Sequence, residues 1–245
     1  MPDFNRYETA LTIVQRTLRR MGLTVPAFVY TGSDETALQM GELLNQVGRR
    51  LLTENDEGWQ QLNKTWALST VSPTVLYDLP SDYDAFIDST FWNNTTRLPL
   101  IGPVSAQQWN MLKARALGAS TLSLIYRLRG SQLEFYQVPS AMDLRIDYRS
   151  RGWVRLADGS TFRDYASNDD DTLLWDTELV CAGLKLAFME AKGFDSTAAK
   201  RDYDNLLEVE IAADRDAPTL SASRGSQGEP LISPWFNLPD TGYGV

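Results

Sequence analysis

The sequence predicts an α+β fold: a helical bundle built from N- and C-terminal helices, with an inserted antiparallel β part and an extended C-terminal arm. Three observations predict it. Apolar residues recur at helical spacing near both ends of the folded part. Between them, from about residue 61 to 155, the period shortens to two and turn residues multiply. From Ala217 onward the chain carries four of its 11 prolines, four glycines and only Arg224, Glu229 and Asp240 as charges. The predicted divisions are 1–60 for the N-terminal helices, 61–155 for the β-rich insert with a short helix, 156–216 for an acidic loop and a helical hairpin, and 217–245 for the arm.

The first helix follows from Tyr7, Leu11, Val14, Leu18 and Met21, at steps of four and three residues, with Gly22 as its stop. A connector with Pro26 leads to Ser33, a good N-cap, with Asp34 and Glu35 placed to meet the positive end of a second helix running to about Thr53. Its stripe is Leu38, Gly41, Leu44, Gly48 and Leu51. Two glycines in a helix lower its propensity and are tolerable where another backbone packs closely.

Alternation of Leu62, Lys64, Trp66, Leu68 and Thr70 then predicts a strand, paired through a Ser72-Pro73-Thr74 hairpin with a short strand Val75–Tyr77. The stretch Tyr77–Trp109 holds Pro80, Pro99 and Pro103, Trp92 and Trp109, and reads as irregular, aromatic-stapled structure joining the helical part to the β part. Ser105 is placed to cap a helix Ala106–Ala116. Strands Thr121–Leu128 and Gln132–Gln137 flank the turn signal Arg129-Gly130-Ser131, and Leu144, Ile146 and Tyr148 alternate in a third strand. Arg151–Asp171 reads as a long polar loop, of a length that is usually functional or ordered by a partner. Asp176–Lys192 is apolar on most faces and predicts a buried helix. Gly193 ends it, Asp195 or Ser196 caps the next, and Ala199, Tyr203, Leu206, Leu207 and Ile211 line the last helix. In the tail, Leu231, Ile232, Trp235, Phe236 and Leu238 are more apolar than a disordered segment requires, so the tail is either a docking arm or a frayed terminus.

Composition excludes several chemistries. The chain has no histidine, which removes Ser-His-Asp and Cys-His mechanisms and two-histidine metal sites. Its one cysteine, Cys181, sits in an apolar run, as an inert buried thiol does. There is no phosphate loop, dinucleotide fingerprint or nucleophile elbow. No cofactor is expected. No run of about 18 apolar residues occurs, and the first 20 residues do not read as a signal peptide.

Asp78, Asp82 and Asp84 invite a glycosidase-like reading, but they occupy turn positions around Pro80, where aspartate serves the backbone. Asn168-Asp169-Asp170-Asp171 lacks the spacing of a calcium loop, and metal binding is not expected there. Trp92 and Trp109 either stack on a ligand or anchor the irregular block in the core. The net charge of −9 is concentrated in Asp158–Glu178 (−6) and Asp195–Asp216 (−4). Arg127–Arg155 runs the other way, with six arginines against three acids. Arginine outnumbers lysine 18 to 5, as suits bidentate interface pairs or an ordinary surface.

One pattern goes further. Leu79-Pro80-Ser81-Asp82-Tyr83, Thr90-Phe91-Trp92 and Arg97-Leu98-Pro99-Leu100-Ile101-Gly102-Pro103 are followed by Ser105 and Trp109. They continue in Tyr126-Arg127-Leu128-Arg129-Gly130, Asp147-Tyr148-Arg149-Ser150 and the Asp171–Leu174 approach to paired helices. Together they resemble the head-to-tail adaptor (connector) proteins of tailed bacteriophages, the tail-tubular and tail-accessory types beneath the portal. The likeness covers roughly Tyr7 to Asp216.

The resemblance implies a virion structural protein and no enzyme. It implies a homo-oligomeric ring, generally of twelve copies, between portal and tail. The ring binds the portal protein, extends the channel for double-stranded DNA without reading its sequence, and carries downstream tail or neck proteins; no membrane partner is implied. The helical bundle builds the ring and the β-rich part faces the next tail layer. On that reading Trp92, Arg97, Arg127, Arg129, Arg149, Trp235 and Phe236 are the expected partner contacts. Asp169, Asp170 and Asp171 are candidates for an acidic channel wall that lets DNA slide, or for simple solvated surface. A carbohydrate- or nucleic-acid-binding β module with helical flanks is the alternative, and a carboxylate-based hydrolase the third.

Overall fold

The computed structural model describes residues 7–55, 58–115, 123–137 and 139–214. The predicted arm, with Trp235 and Phe236, lies outside them. Within them the class is α+β: five α-helices and antiparallel sheets arranged around two hydrophobic cores.

The first core belongs to the helices. Helix α1 (Ala10–Arg20) starts at Thr9, whose hydroxyl accepts the Thr12 N–H. It buries Ala10, Ile13, Val14, Thr17 and Leu18. This face is turned from the predicted stripe, because Tyr7 precedes the helix and Leu11 and Met21 stay half-buried. Helix α2 (Glu35–Glu54) is capped by Asp34 rather than Ser33: the Asp34 carboxylate accepts the Thr36 N–H at 3.0 Å. Leu38 is exposed, since the packed face centres on Met40, Leu44, Val47 and Leu51. Gly48 faces the indole of Trp153, so the close neighbour of this glycine is an aromatic ring rather than a second backbone.

Helix α4 (Thr177–Lys192) packs on α1 and α2, as does helix α5 (Thr197–Asp214) on α4. Asp176 caps α4 through Glu178 N–H (2.8 Å) and Leu179 N–H (3.1 Å), and Gly193 ends it with φ 71°. Burial of Leu179, Val180, Leu184, Leu186 and Phe188 agrees with the predicted buried helix. Each such side chain contributes on the order of 1.5–3 kcal/mol. The thiol of Cys181 is buried here, and burial pushes its pKa up. Tyr203 of α5 is buried and donates its hydroxyl to Glu54 of α2, closing the bundle.

The predicted loop 151–171 is structured. Strands β9 (Val154–Arg155), β10 (Phe162–Arg163) and β11 (Thr172–Leu173) form a small antiparallel sheet. Asp158 holds the β9–β10 turn by accepting the Thr161 hydroxyl, Thr161 N–H (2.8 Å) and Ser160 N–H (2.9 Å), which bring its carboxyl down to about 2. Trp153, Val154, Ala166, Leu173 and Trp175 from this region join the helical core, with Trp59 against Trp175 at 5.1 Å. The polar composition hid these anchors.

The second core is wrapped by two sheets. Strand β8 (Asp143–Ser150) is the hub of the first. It pairs with β1 (Asn63–Ser69) on one side, and on the other with β3 (Tyr83–Phe86) and β4 (Trp92–Asn93), which carries β5 (Leu98–Pro99). The second sheet runs in the order β2 (Leu76–Asp78), β7 (Gln132–Phe135), β6 (Tyr126–Arg129). The two are sewn together where Ile101 and Leu124–Tyr126 exchange hydrogen bonds. Leu68, Phe91, Tyr126, Leu133, Phe135, Leu144 and Ile146 fill the interior.

Two expectations are corrected here. β1 and β2 form no hairpin, because the inward row Trp66 and Leu68 matches Ile146 and Leu144 of β8, while Tyr77 lies opposite Leu133 of β7. And Tyr77–Trp109 is not a joint to the helices but a part of the β unit, since Phe86 and Phe91 pack into its core. Helix α3 (Ala106–Arg115) follows, and Ser105 and Gln108 cap it reciprocally: Gln108 N–H donates to Ser105 Oγ (3.2 Å) and Ser105 N–H to Gln108 Oε1 (2.9 Å).

Candidate partner interface

Alternation along β8 sends Leu144, Ile146 and Tyr148 into the core and Asp143, Arg145, Asp147 and Arg149 to the opposite face. That outer face is open around Arg145, while Asp143, Asp147 and Arg149 are half-buried. Across it run Ala67, Arg145, Trp92 and Pro99 in one row, read from the register. Trp92 is 37% exposed, and the Arg145 side chain is 58% exposed with, among the described residues, only Asp143, at 3.9 Å, as an ion partner. Trp92 therefore anchors nothing in the core, whereas Trp109 is buried.

The turn beyond Trp92 presents Arg97. The Asn93 side-chain oxygen accepts Thr95 N–H (2.9 Å) and Thr96 N–H (3.1 Å), and Arg97 N–H donates to the Asn93 carbonyl at 2.7 Å. Arg97 adopts φ 58°, a conformation disfavoured for a residue with a Cβ, which the surrounding bonds hold in place. Its side chain is exposed. Arg129 is also open, 68% exposed and 4.0 Å from Glu134.

Two predicted contact arginines are engaged within the chain. Arg127 pairs with buried Glu134 at 2.6 Å and lies over the Trp109 ring at 4.3 Å, fastening α3 to the second sheet. Arg149 pairs with Asp84 at 3.3 Å and covers Gly58, where a Cβ would stand 1.8 Å from its Nη1. Partner contact through these two requires giving up an internal bond.

The acidic run is mostly structural. Asp169 accepts the N–H groups of Val29 (2.9 Å) and Tyr30 (3.1 Å) on its carboxylate, and its carbonyl accepts Leu11 N–H. The Asp171 carbonyl accepts Ala10 N–H at 2.8 Å, and its carboxylate accepts Ser167 and Asn168 N–H. These carbonyls satisfy two of the donors that every helix start leaves open. Asp171 is buried and cannot face a channel, a correction to the sequence expectation; Asp170 alone of the three is exposed. Asp169→Ala is expected to destabilise the chain by about 1–3 kcal/mol, because two backbone donors lose a charged acceptor, and Asp170→Ala by under about 0.5 kcal/mol. Paired urea melts check the contrast.

The turn Leu79–Tyr83 is held by its aspartate. Asp82 accepts Lys64 Nζ (2.6 Å), Ser150 Oγ (2.7 Å) and Tyr148 Oη (2.9 Å), and its carbonyl accepts Arg151 N–H (2.7 Å). Burial raises the carboxyl, but these donors outweigh it and leave the pKa below the ordinary value. Burial and the bond to Asp82 push the Tyr148 hydroxyl up. Lys64 also stacks over Phe162 at 3.7 Å, which links the first sheet to β10 of the helical core. The sequence pointed to Asp82 as a turn residue; only its partners from β1 and β8 reveal the clasp. Asp78 and Asp84 are engaged as well, by Gln132 (2.8 Å) and Arg149.

Among the described residues no group of three or more acids and cysteines gathers as metal ligands, and no helix is long and apolar enough to cross a membrane. No curated protein matches the chain. The model of the SU10 adaptor protein family matches residues 8–227, a span that takes in both cores and the open sheet face. The chain therefore belongs to the SU10 adaptor protein family, the structural head-to-tail adaptors of bacteriophage virions.

Proposed function

We propose that the protein assembles as a homo-oligomeric ring at the neck of the virion, between portal and tail, where it extends the DNA channel and seats downstream tail proteins. The family match over 8–227 carries this reading. The open outer face of the first sheet supports it, because Trp92, Arg145 and the Arg97 turn expose the residue types that dominate interface energetics. On this reading twelve copies close the ring, Trp92, Arg97 and Arg129 meet a partner directly, and Trp235 and Phe236 in the tail add a docking arm. On the same reading Asp170, the exposed acid of its run, faces the passing DNA.

Trp92→Ala is the test. The expected result is an unchanged monomer melting temperature and an assembly, read by native mass spectrometry with portal protein present, weakened by about tenfold or more. Assembly indifferent to Trp92, or loss of retention on a glycan or DNA column in its place, would favour the binding-module alternative. A chain that stays monomeric with portal present would remove the ring.

A further inference from the structure

Strand β1 is the longest edge strand among the described residues, and it pairs on one side only, with β8. The parity of the ladder tells which backbone groups are used. Thr70 N–H donates to Met142 C=O at 2.9 Å, and Thr70 lies opposite Met142 by continuation of the register. Lys64, Trp66 and Leu68 therefore exchange hydrogen bonds with β8, and the N–H and C=O groups of Thr65 and Ala67 point the other way. Among the described residues nothing meets them.

Proteins guard such edges with a lysine, a proline or a bulge. β1 has no guard. Its register with β8 is unbroken, it contains no proline, and its single charge, Lys64, is turned inward onto Asp82 and Phe162. The side chains that flank the open groups, Asn63, Thr65, Ala67 and Ser69, are small, uncharged and exposed.

We infer that β1 is a self-assembly edge, to which the β2 edge of a second copy of this chain adds as a further strand. The inference rests on the ring reading above. Only an extended backbone satisfies a row of alternating N–H and C=O groups. Copies with a net charge of −9 repel one another, and a neutral strip lets them approach without opposing like charges. The other open end of the wrapped surface, β2, pairs only with β7, so Leu76 and Asp78 direct their backbone groups outward. Two different open ends associate head to tail and can close a ring, whereas β1 on β1 would stop at a two-fold dimer.

Thr65→Pro and Ala67→Pro test this, because each removes a donor that points away from β8 and leaves the internal ladder whole. Thr65→Pro also gives up the hydroxyl bond to Asp147 of β8 (2.6 Å), which Ala67→Pro keeps; both variants are expected to fold, by circular dichroism, and to assemble on the order of 100-fold more weakly than the natural chain. Hydrogen exchange at Thr65 and Ala67 is expected to slow by about 100-fold on assembly, together with Leu76 and Asp78. If the prolines prevent folding, Ala67→Lys keeps the ladder and sets a charge on the edge, with the same expected loss. A ring that forms normally from these variants, or in which the Thr65 and Ala67 amides exchange as fast as in the monomer, overturns the inference and leaves the ring reading standing. Failure of the natural chain to assemble with portal present overturns both.

Discussion

Gly48→Ala is expected to destabilise the protein by about 2–3 kcal/mol, and Gly48→Val by more, against the gain of up to ~1 kcal/mol that alanine ordinarily brings to a helix interior. The reason is steric. A Cβ on Gly48 would stand 2.2 Å from Cη2 of Trp153, 2.3 Å from Cζ2 and 2.5 Å from Cζ3. The indole is fully buried, so it has no free space to swing into. Nor can α2 withdraw. One turn earlier Asn45 is clamped to Ala166 by two hydrogen bonds, Nδ2–H to the carbonyl at 3.0 Å and the amide N–H to Oδ1 at 2.7 Å. Trp153→Phe removes the ring atoms that collide, at the cost of a cavity. Urea melts of the four members of a double-mutant cycle should then show a coupling of about 1 kcal/mol or more in favour of the double variant. Simple additivity would mean that the ring is not what excludes the side chain.

This slot shows what the sequence disclosed and what it withheld. Two glycines in α2 signalled a close neighbour, since a helix tolerates that loss of propensity only for packing. The identity of the neighbour was not readable, because Trp153 lies about a hundred residues downstream in a stretch whose polar composition resembles a loop. Helices α1, α2, α4 and α5, and the cap at Ser105, were legible because period and capping are local properties. The partner of β2 was not, because pairing with β7 rather than β1 is decided by which side chains meet in the second core. The candidate site divides the same way. Exposure of Trp92 and Arg97 fits their reading as contacts, while the resemblance that points to Arg127 and Arg149 does not disclose their acids, Glu134 and Asp84, which lie on other strands. Asp169 and Asp171 were grouped with Asp170 by adjacency, yet three successive residues of a turn point three ways.

The second large effect is expected at Asp82. Asp82→Ala should cost about 2–4 kcal/mol, below the range for a fully buried ion pair because Lys64 and Asp82 are only half-buried, since it strands Lys64 beside Phe162 and leaves the Tyr148 and Ser150 hydroxyls without their acceptor. Asp82→Asn keeps the shape but not the charge, and should cost about 1–3 kcal/mol. The pH dependence separates the charge from the shape. The folded carboxyl titrates below the ordinary value of 3.8, so its contribution is fully present above that value and is lost as pH falls through the lower folded pKa. The gap in stability between the natural chain and Asp82→Asn should therefore be constant near neutrality and close below about pH 4. A gap that persists into strong acid would mean that Asp82 acts through packing alone. Three donors also occupy the carboxylate at both oxygens, which leaves it poorly placed to take a proton from a substrate and well placed to hold the Leu79–Tyr83 turn. Because Lys64 reaches both Asp82 and Phe162, losing the clasp should loosen two places at once, and hydrogen exchange in Asp82→Ala should rise around residues 79–84 and 160–163 while α4 stays protected. Those two places are where the β unit meets the small sheet beside the helical core, so the clasp through Lys64 holds one against the other.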